Sequence, residues 1–199
     1  MKASPTIVVT GSAGFIGSVV VQYLNEQGFT NLWLVDDFGV EVKRSNWEQK
    51  QYSKIIERQA FLAQLLTEDF PIDVMIHLGA RTDTTEFNYA IHQELNLEYS
   101  QALWNYATLK QIPFIYASSA ATYGSGAHGY NDDHQILDQL VPLNPYGISK
   151  NEFDKWAIAQ TNMPSHWAGL KFFNVYGPNE YHKARTVSYT HLRAHETRE

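Results

Sequence analysis

The run "TIVVTGSAGFIGSVVVQYLNEQG" (6–28) constrains this chain more than any other. A short β-branched stretch predicts a buried strand over 6–11, and an amphipathic stretch predicts a helix ending at Gly28. Between them stand Gly11, Gly14 and Gly17. The first glycine permits a tight turn, the second a close backbone approach to a pyrophosphate, and the third close helix–strand packing. Free N–H groups at the helix start, with the helix dipole, favour an anion there. A glycine trio alone is a weak signal. The preceding strand, the following helix and Asp36 at the end of the next strand make it a strong one.

The rest of the chain repeats the same alternation. Strands are expected at "NLWLVDD", "SKII", "IDVMIHLGA", "IPFIYASSA" and "HWAGLKFFNVYG". Helices are expected at "RQAFLAQLLTED", at the long "NYAIHQELNLEYSQALWNYATLK" and at "PYGISKNEFDKWAIAQT", the last opened by a proline. Residues 38–52 are polar and irregular and read as a loop. Such alternation predicts an α/β fold, a doubly wound parallel sheet covered on both faces. With 199 residues, one sizeable core or one domain plus a fragment is available.

Charge and composition narrow the partners. A net charge of −6 argues against general nucleic-acid binding. No cysteine is present, so a disulfide or thiolate metal site is excluded. No apolar run reaches membrane-spanning length and no signal-peptide core is evident, so no membrane partner and a cytoplasmic location are expected. The segment "VSYTHLRAHETRE" (187–199) continues neither strand nor helix logic. It resembles the translated read-through of a sequencing-library adaptor, and we expect a dinucleotide-binding domain over 1–186 followed by a non-native tail. His191, His195 and Glu196 in that tail do not match His-Glu-x-x-His order, and no metal site is expected.

"NPYGISK" (144–150) places Tyr146 one helical turn before Lys150. A phenol is a poor base at neutral pH, and an ammonium beside it would favour the phenolate. Taken alone, the pair is far more often an ordinary helix start, since Tyr-x-x-x-Lys recurs by chance. The glycine loop, "YASSAATYG" and "YGISK", in this order, resemble the extended short-chain dehydrogenase/reductases, the nucleotide-sugar epimerases and dehydratases. "TDTTE" (82–86), "FFNVYGPNE" (172–180) and "YHK" (181–183) are similar to the branch of that family acting on ADP-heptose.

That resemblance implies a Rossmann sheet with a smaller substrate domain that is largely missing here. It implies epimerisation at C6″ of the heptose by transient oxidation, in supply of lipopolysaccharide inner-core heptose. Catalytic roles fall to Ser119, Tyr146 and Lys150, with Lys183 as a second proton-transfer group on the opposite face. Lys150 would also hold the nicotinamide ribose and lower the phenol's pKa. The dinucleotide is implied along Gly11, Ala13, Gly14, Phe15, Ile16 and Gly17, at Asp36, Asp37 and Lys43, and along Leu78, Gly79, Ala80 and Asn96. Substrate-side positions are Thr84, Thr85, Glu86, Ser119, Asn174 and Lys183, although Asn and Thr also favour turns. His77 falls where the family lines the cofactor, but a lone histidine at a strand end is more often structural.

Asp36 facing the adenosine ribose suits NAD, whereas Lys43 meeting a 2′-phosphate suits NADP; NADP or NAD is expected, NADP marginally favoured. A homo-oligomer is expected for the full-length form. The chain departs from the family at Glu57 and Arg58 after the third strand, at Tyr181 and Ala184 around Lys183, and in stopping where the family runs on. A UDP-hexose 4-epimerase, a dehydratase and an inactive cofactor-binding fragment stand as alternatives, and the truncated chain itself is expected to show no epimerisation.

Overall fold

A computed structural model describes residues 4–180. Six strands form one sheet in the order β3-β2-β1-β4-β5-β6. They are β1 (Ile7–Thr10), β2 (Leu32–Asp36), β3 (Lys54–Glu57), β4 (Val74–His77), β5 (Phe114–Ser119) and β6 (Trp167–Phe172). Every adjacent pair is parallel. Chain order reverses direction across the sheet at β1, which has β2 on one side and β4 on the other. That switch point leaves a crevice at the carboxyl ends of β1 and β4.

All residues of β1 and β2 are buried, as expected for central strands covered on both faces. The two-residue period then sorts them. Ile7, Val9, Leu32 and Leu34 pack with Val21 of α1 (Phe15–Glu26) on one face. Val8, Trp33 and Val35 pack on the other with residues of α2 (Arg58–Leu65), α4 (Tyr99–Lys110) and α5 (Pro145–Ile158). Trp104 of α4 is the hub of this second cluster. Its ring meets Phe114, Tyr116, Phe153, Trp156 and Trp167 edge-on at 5.2–6.4 Å.

Two regions differ from the sequence expectation. The polar stretch 38–52 contains a 3-10 turn, Glu41–Asn46, whose Asn46 is buried. The long helix expected over 88–110 consists of α3 (Tyr89–His92), a π-helical stretch (Gln93–Glu98) and α4. A π stretch adds a residue to the turn and re-aims a side chain, and such stretches gather at functional sites. Here the side chain turned inward is Asn96, which is fully buried.

Candidate active site

The glycine loop lies at the carboxyl edge of β1. Gly11 has φ +70° and donates its N–H to the Val35 carbonyl at 2.8 Å. A β-carbon on Gly11 would stand 2.6 Å from the Gly79 nitrogen, and one on Gly17 only 2.0 Å from the Gly11 carbonyl oxygen. Neither place admits a side chain. The first closeness seats Leu78 and Gly79, just past β4, against the loop; the second presses α1 onto it. Gly14 stands at the start of α1 without a side-chain cap, and no acidic residue stands in the first turn. Those N–H donors suit a pyrophosphate, as the glycine spacing implies.

Asp36 ties the loop to the end of β2. Its carboxylate accepts from Ala13 N–H at 2.9 Å and Asp37 N–H at 2.7 Å, and pairs with Lys43 Nζ at 3.4 Å. Asp37 plays a different part, since its own carboxylate accepts from Gly39 N–H and closes the next turn. Asn46, absent from the sequence expectations, donates to the Ala13 carbonyl at 3.0 Å and to the Asn179 carbonyl at 3.3 Å. Asn179 in turn donates to Ser18 of α1. The segment after β6 is thereby tied to the flank of the phosphate loop.

The catalytic candidates meet at the end of β5. Ser119 is the last residue of that strand, and its Oγ accepts from Ala121 N–H at 3.1 Å. Tyr146 lies in the first turn of α5, where Asn144 accepts from Gly147 N–H and Pro145 opens the helix. A β-carbon on Gly147 would come within 2.8 Å of the Ala121 carbonyl oxygen, so only glycine lets α5 sit so near the turn after Ser119. The Ser119 hydroxyl lies close enough to the Tyr146 phenol to favour its phenolate. Lys150, one turn on and buried, donates to the Ala117 carbonyl of β5 at 2.9 Å.

The electrostatics correct one expectation. The Tyr146 phenol is raised, not lowered: burial dominates, the Asp154 carboxylate adds to it, and the Ser119 hydroxyl alone opposes it. Lys150 is not among the groups that set it. Burial pulls Lys150 itself down to about 8 against the charge of Asp154. An ammonium buried against a neutral carbonyl is itself under desolvation pressure, and its effect on the phenol is correspondingly small.

His77 is structural, as its lone position suggested. It is buried between Thr10 Oγ1 at 2.6 Å and Ser100 Oγ at 2.8 Å, and burial, with Lys150 nearby, lowers it to about 3. Asn96 accepts from Arg81 N–H at 2.7 Å and donates to the Arg81 carbonyl and to Ser149 Oγ, both at 3.0 Å. It thus braces the loop after β4 against α5. Ala80 precedes that brace and continues the stretch from Leu78. Phe15 and Ile16 form the first turn of α1.

Among the substrate-side candidates, Thr84 and Thr85 are exposed in the loop after β4. Thr85 N–H and Oγ1 both bond Asp83, and Glu86 accepts from Asn88 N–H, so this pair serves the turn in the present structure. Asn174 is exposed two residues past β6. β5 lies between β4 and β6, so these two loops flank the Ser119 end. Lys183, Tyr181, Ala184, His191, His195 and Glu196 lie outside the described residues. Among the described residues no group of three or more His, Cys, Asp or Glu could hold a metal, and no helix is long and apolar enough to cross a membrane.

Comparisons with known proteins give the family. The ADP-L-glycero-D-manno-heptose-6-epimerase of Fusobacterium nucleatum is 46% identical over 186 residues, 92% of this chain and 56% of its own length. That of Nitratidesulfovibrio vulgaris is 44% identical over 178 residues, 88% of this chain and 55% of its own length. This chain therefore spans little more than half of these relatives. The crystal structure of the Helicobacter pylori enzyme of the same name superposes with TM-score 0.77 at 28% identity, over 92% of this chain and 59% of that one. A UDP-glucuronic acid 4-epimerase from Bacillus cereus, in complex with NAD, gives 0.68 at 26%, over 87% and 58%. A family model for NAD dependent epimerases and dehydratases matches residues 7–199. The glycine cradle and the cluster at the end of β5 both lie within that match, and the chain belongs to the NAD dependent epimerase/dehydratase family.

Proposed function

We propose that this chain is the dinucleotide-binding part of an ADP-L-glycero-D-manno-heptose-6-epimerase that inverts C6″ of the sugar. The observation that carries the proposal is the meeting of Ser119, Tyr146 and Lys150 at the end of β5, one strand from the β1–β4 crevice. The names of the relatives support the substrate. The cradle fits a dinucleotide: Gly11 and Gly17 where a side chain would clash, an α1 N-terminus that no side chain caps, and a carboxylate at the end of β2.

A bound nicotinamide would supply reversible hydride acceptance. Tyr146 takes the C6″ hydroxyl proton and returns it. Ser119 holds the reacting oxygen beside the phenol, and Lys150 binds the ribose hydroxyls below. Lys183 serves as the second proton-transfer group, on the opposite face of the transient ketone. Asp36 faces the adenosine ribose. Thr84, Thr85, Glu86 and Asn174 border the sugar from the two flanking loops. We place the reaction in the cytoplasm and expect the full-length protein to be a homo-oligomer.

The test uses the protein at the length of its relatives and ADP-heptose deuterated at C6″. Internal hydride return keeps the deuterium in the epimerised product. Loss of label to water, or turnover of UDP-hexoses alone, would overturn the proposal.

The finer assignment is NADP over NAD, and it rests on Lys43. Its ammonium at 3.4 Å from Asp36 Oδ1 offsets the charge that a 2′-phosphate would otherwise meet. Lys43→Met is expected to weaken NADP binding by about 10-fold, the effect of one hydrogen bond to a charged group. NAD binding should hold, as read by titration of both nucleotides. Equal loss of both would assign Lys43 to the loop instead.

A further inference from the structure

We infer that Asp154, with Lys171 as its counter-charge, is the positioning residue that keeps Lys150 protonated and seated beneath the Tyr146–Ser119 pair. The inference rests on the reading above, in which Lys150 is the cation of the site.

Asp154 follows Lys150 by one helical turn on α5, so the two side chains share the face that packs on the sheet. Both are buried, at 4% and 3% exposure. Both oxygens of the Asp154 carboxylate are engaged. Oδ1 accepts from the Tyr116 hydroxyl at 3.0 Å, and Oδ2 accepts from Ser118 Oγ at 2.6 Å and Lys171 Nζ at 2.9 Å. Lys171 also donates to Thr122 Oγ1 at 2.7 Å and lies over the Tyr123 ring. One carboxylate thus joins α5 to β5 and β6 directly behind Ser119.

Such a network is an odd choice for stability alone. Burying two charges carries a desolvation penalty that their attraction roughly balances, and well-packed apolar side chains do as well or better. What it supplies is a fixed negative charge near Lys150. The hydrogen bond from Lys150 to Ala117 O is to a neutral acceptor, and burial works against the ammonium. The titratable groups facing Lys150 are few. His77 on β4 is neutral, held by Thr10 and Ser100. Tyr146 on α5 and Tyr116 on β5 are protonated phenols at neutral pH. Among the described residues, Asp154 on α5 is the one that acts to keep the ammonium charged. Asp154 also disfavours the Tyr146 phenolate. Lys171 on β6, bonded to the same oxygen as Ser118, takes up part of that charge. The pair therefore divides its effect: enough field remains to hold Lys150 charged, while the phenol is partly spared.

The two members of the pair should act with opposite sign, and a packing role would not. The midpoint of Lys150 is read by NMR on lysine side-chain-labelled protein, its signal assigned by its loss in Lys150→Arg. Asp154→Asn should lower the midpoint by about one pH unit or more, the usual effect of losing a close opposite charge. Lys171→Met should raise it, since the carboxylate is then uncompensated. If the network merely held α5 to the sheet, either change would loosen the contact. Water would then reach Lys150, and both midpoints would rise toward the ordinary lysine value. Two upward shifts, or none, would overturn the inference. Should Asp154→Asn fail to fold, the double change with Lys171→Met leaves no unpaired charge and must still lie below the wild-type midpoint. The titration needs no nucleotide. Opposed shifts in a protein that epimerises no ADP-heptose would uphold the coupling and overturn the functional reading, so the two fail separately.

Discussion

Tyr146→Phe in the full-length protein is expected to lower epimerisation by about 10²–10⁴-fold, the usual worth of a positioned acid or base. Dinucleotide affinity should stay nearly unchanged. The substitution removes one hydroxyl and keeps the ring, which meets His92 edge-on at 6.4 Å between centroids. The helix start is also kept, because Asn144 and Pro145 provide it. What disappears is the hydroxyl beside Ser119. Burial and Asp154 hold that group as a neutral phenol, so it is poised as the acid that returns a proton to the ketone. The oxidative half-reaction needs the phenolate and should accelerate as pH rises. Parallel measurement of turnover and of dinucleotide binding separates the roles: a matching fall in affinity would make Tyr146 a structural residue.

The legible parts of this site are those that local spacing encodes. Gly11, Gly14 and Gly17 lie within seven residues of one strand–turn–helix unit; Gly14 and Gly17 face the Gly11 carbonyl inside it, and Gly11 itself turns with a positive φ. Tyr146 and Lys150 are one turn apart on one helix. Asp154 continues that same register, yet its importance is invisible in sequence. Its partners Tyr116, Ser118 and Lys171 lie 38, 36 and 17 residues away and meet it only when β5 and β6 pair beside α5. Asn46 is similar, reaching Ala13 across 33 residues from a stretch that reads simply as polar loop. The π stretch around Asn96 is illegible for another reason: hydrophobic periodicity continues through it, and one inserted residue barely alters the pattern. The turn residues Thr85 and Glu86 fit two roles by composition, and the structure assigns their present bonds to the turn itself. The opposed influence of burial on Tyr146 also escaped sequence, since it depends on depth in the fold rather than on the neighbour at i+4.

Lys150→Met is expected to make the folded domain more stable at pH 7 while removing activity from the full-length protein. The lysine's ordinary value is 10.5, and its value in the fold is about 8. Below 10.5 the unfolded chain holds the proton that the folded protein holds less tightly. Stability is therefore lost as pH falls from 10.5 to 8, and the loss stays constant below that. A difference of this size corresponds to roughly 3 kcal/mol. Methionine fills a similar volume without charge, and gives up the hydrogen bond to Ala117 O, worth about 1 kcal/mol. The net gain should be about 2 kcal/mol at pH 7 and should vanish as the pH approaches 10.5, as urea unfolding at several pH values will read. Asp154 remains satisfied by Tyr116, Ser118 and Lys171, so no second buried charge is orphaned by the change. A variant that is less stable at every pH would instead make Lys150 a structural anchor of α5. A side chain whose removal steadies the fold and silences the chemistry is held in place by the chemistry, and stabilising changes of this kind commonly fall on residues a reaction needs.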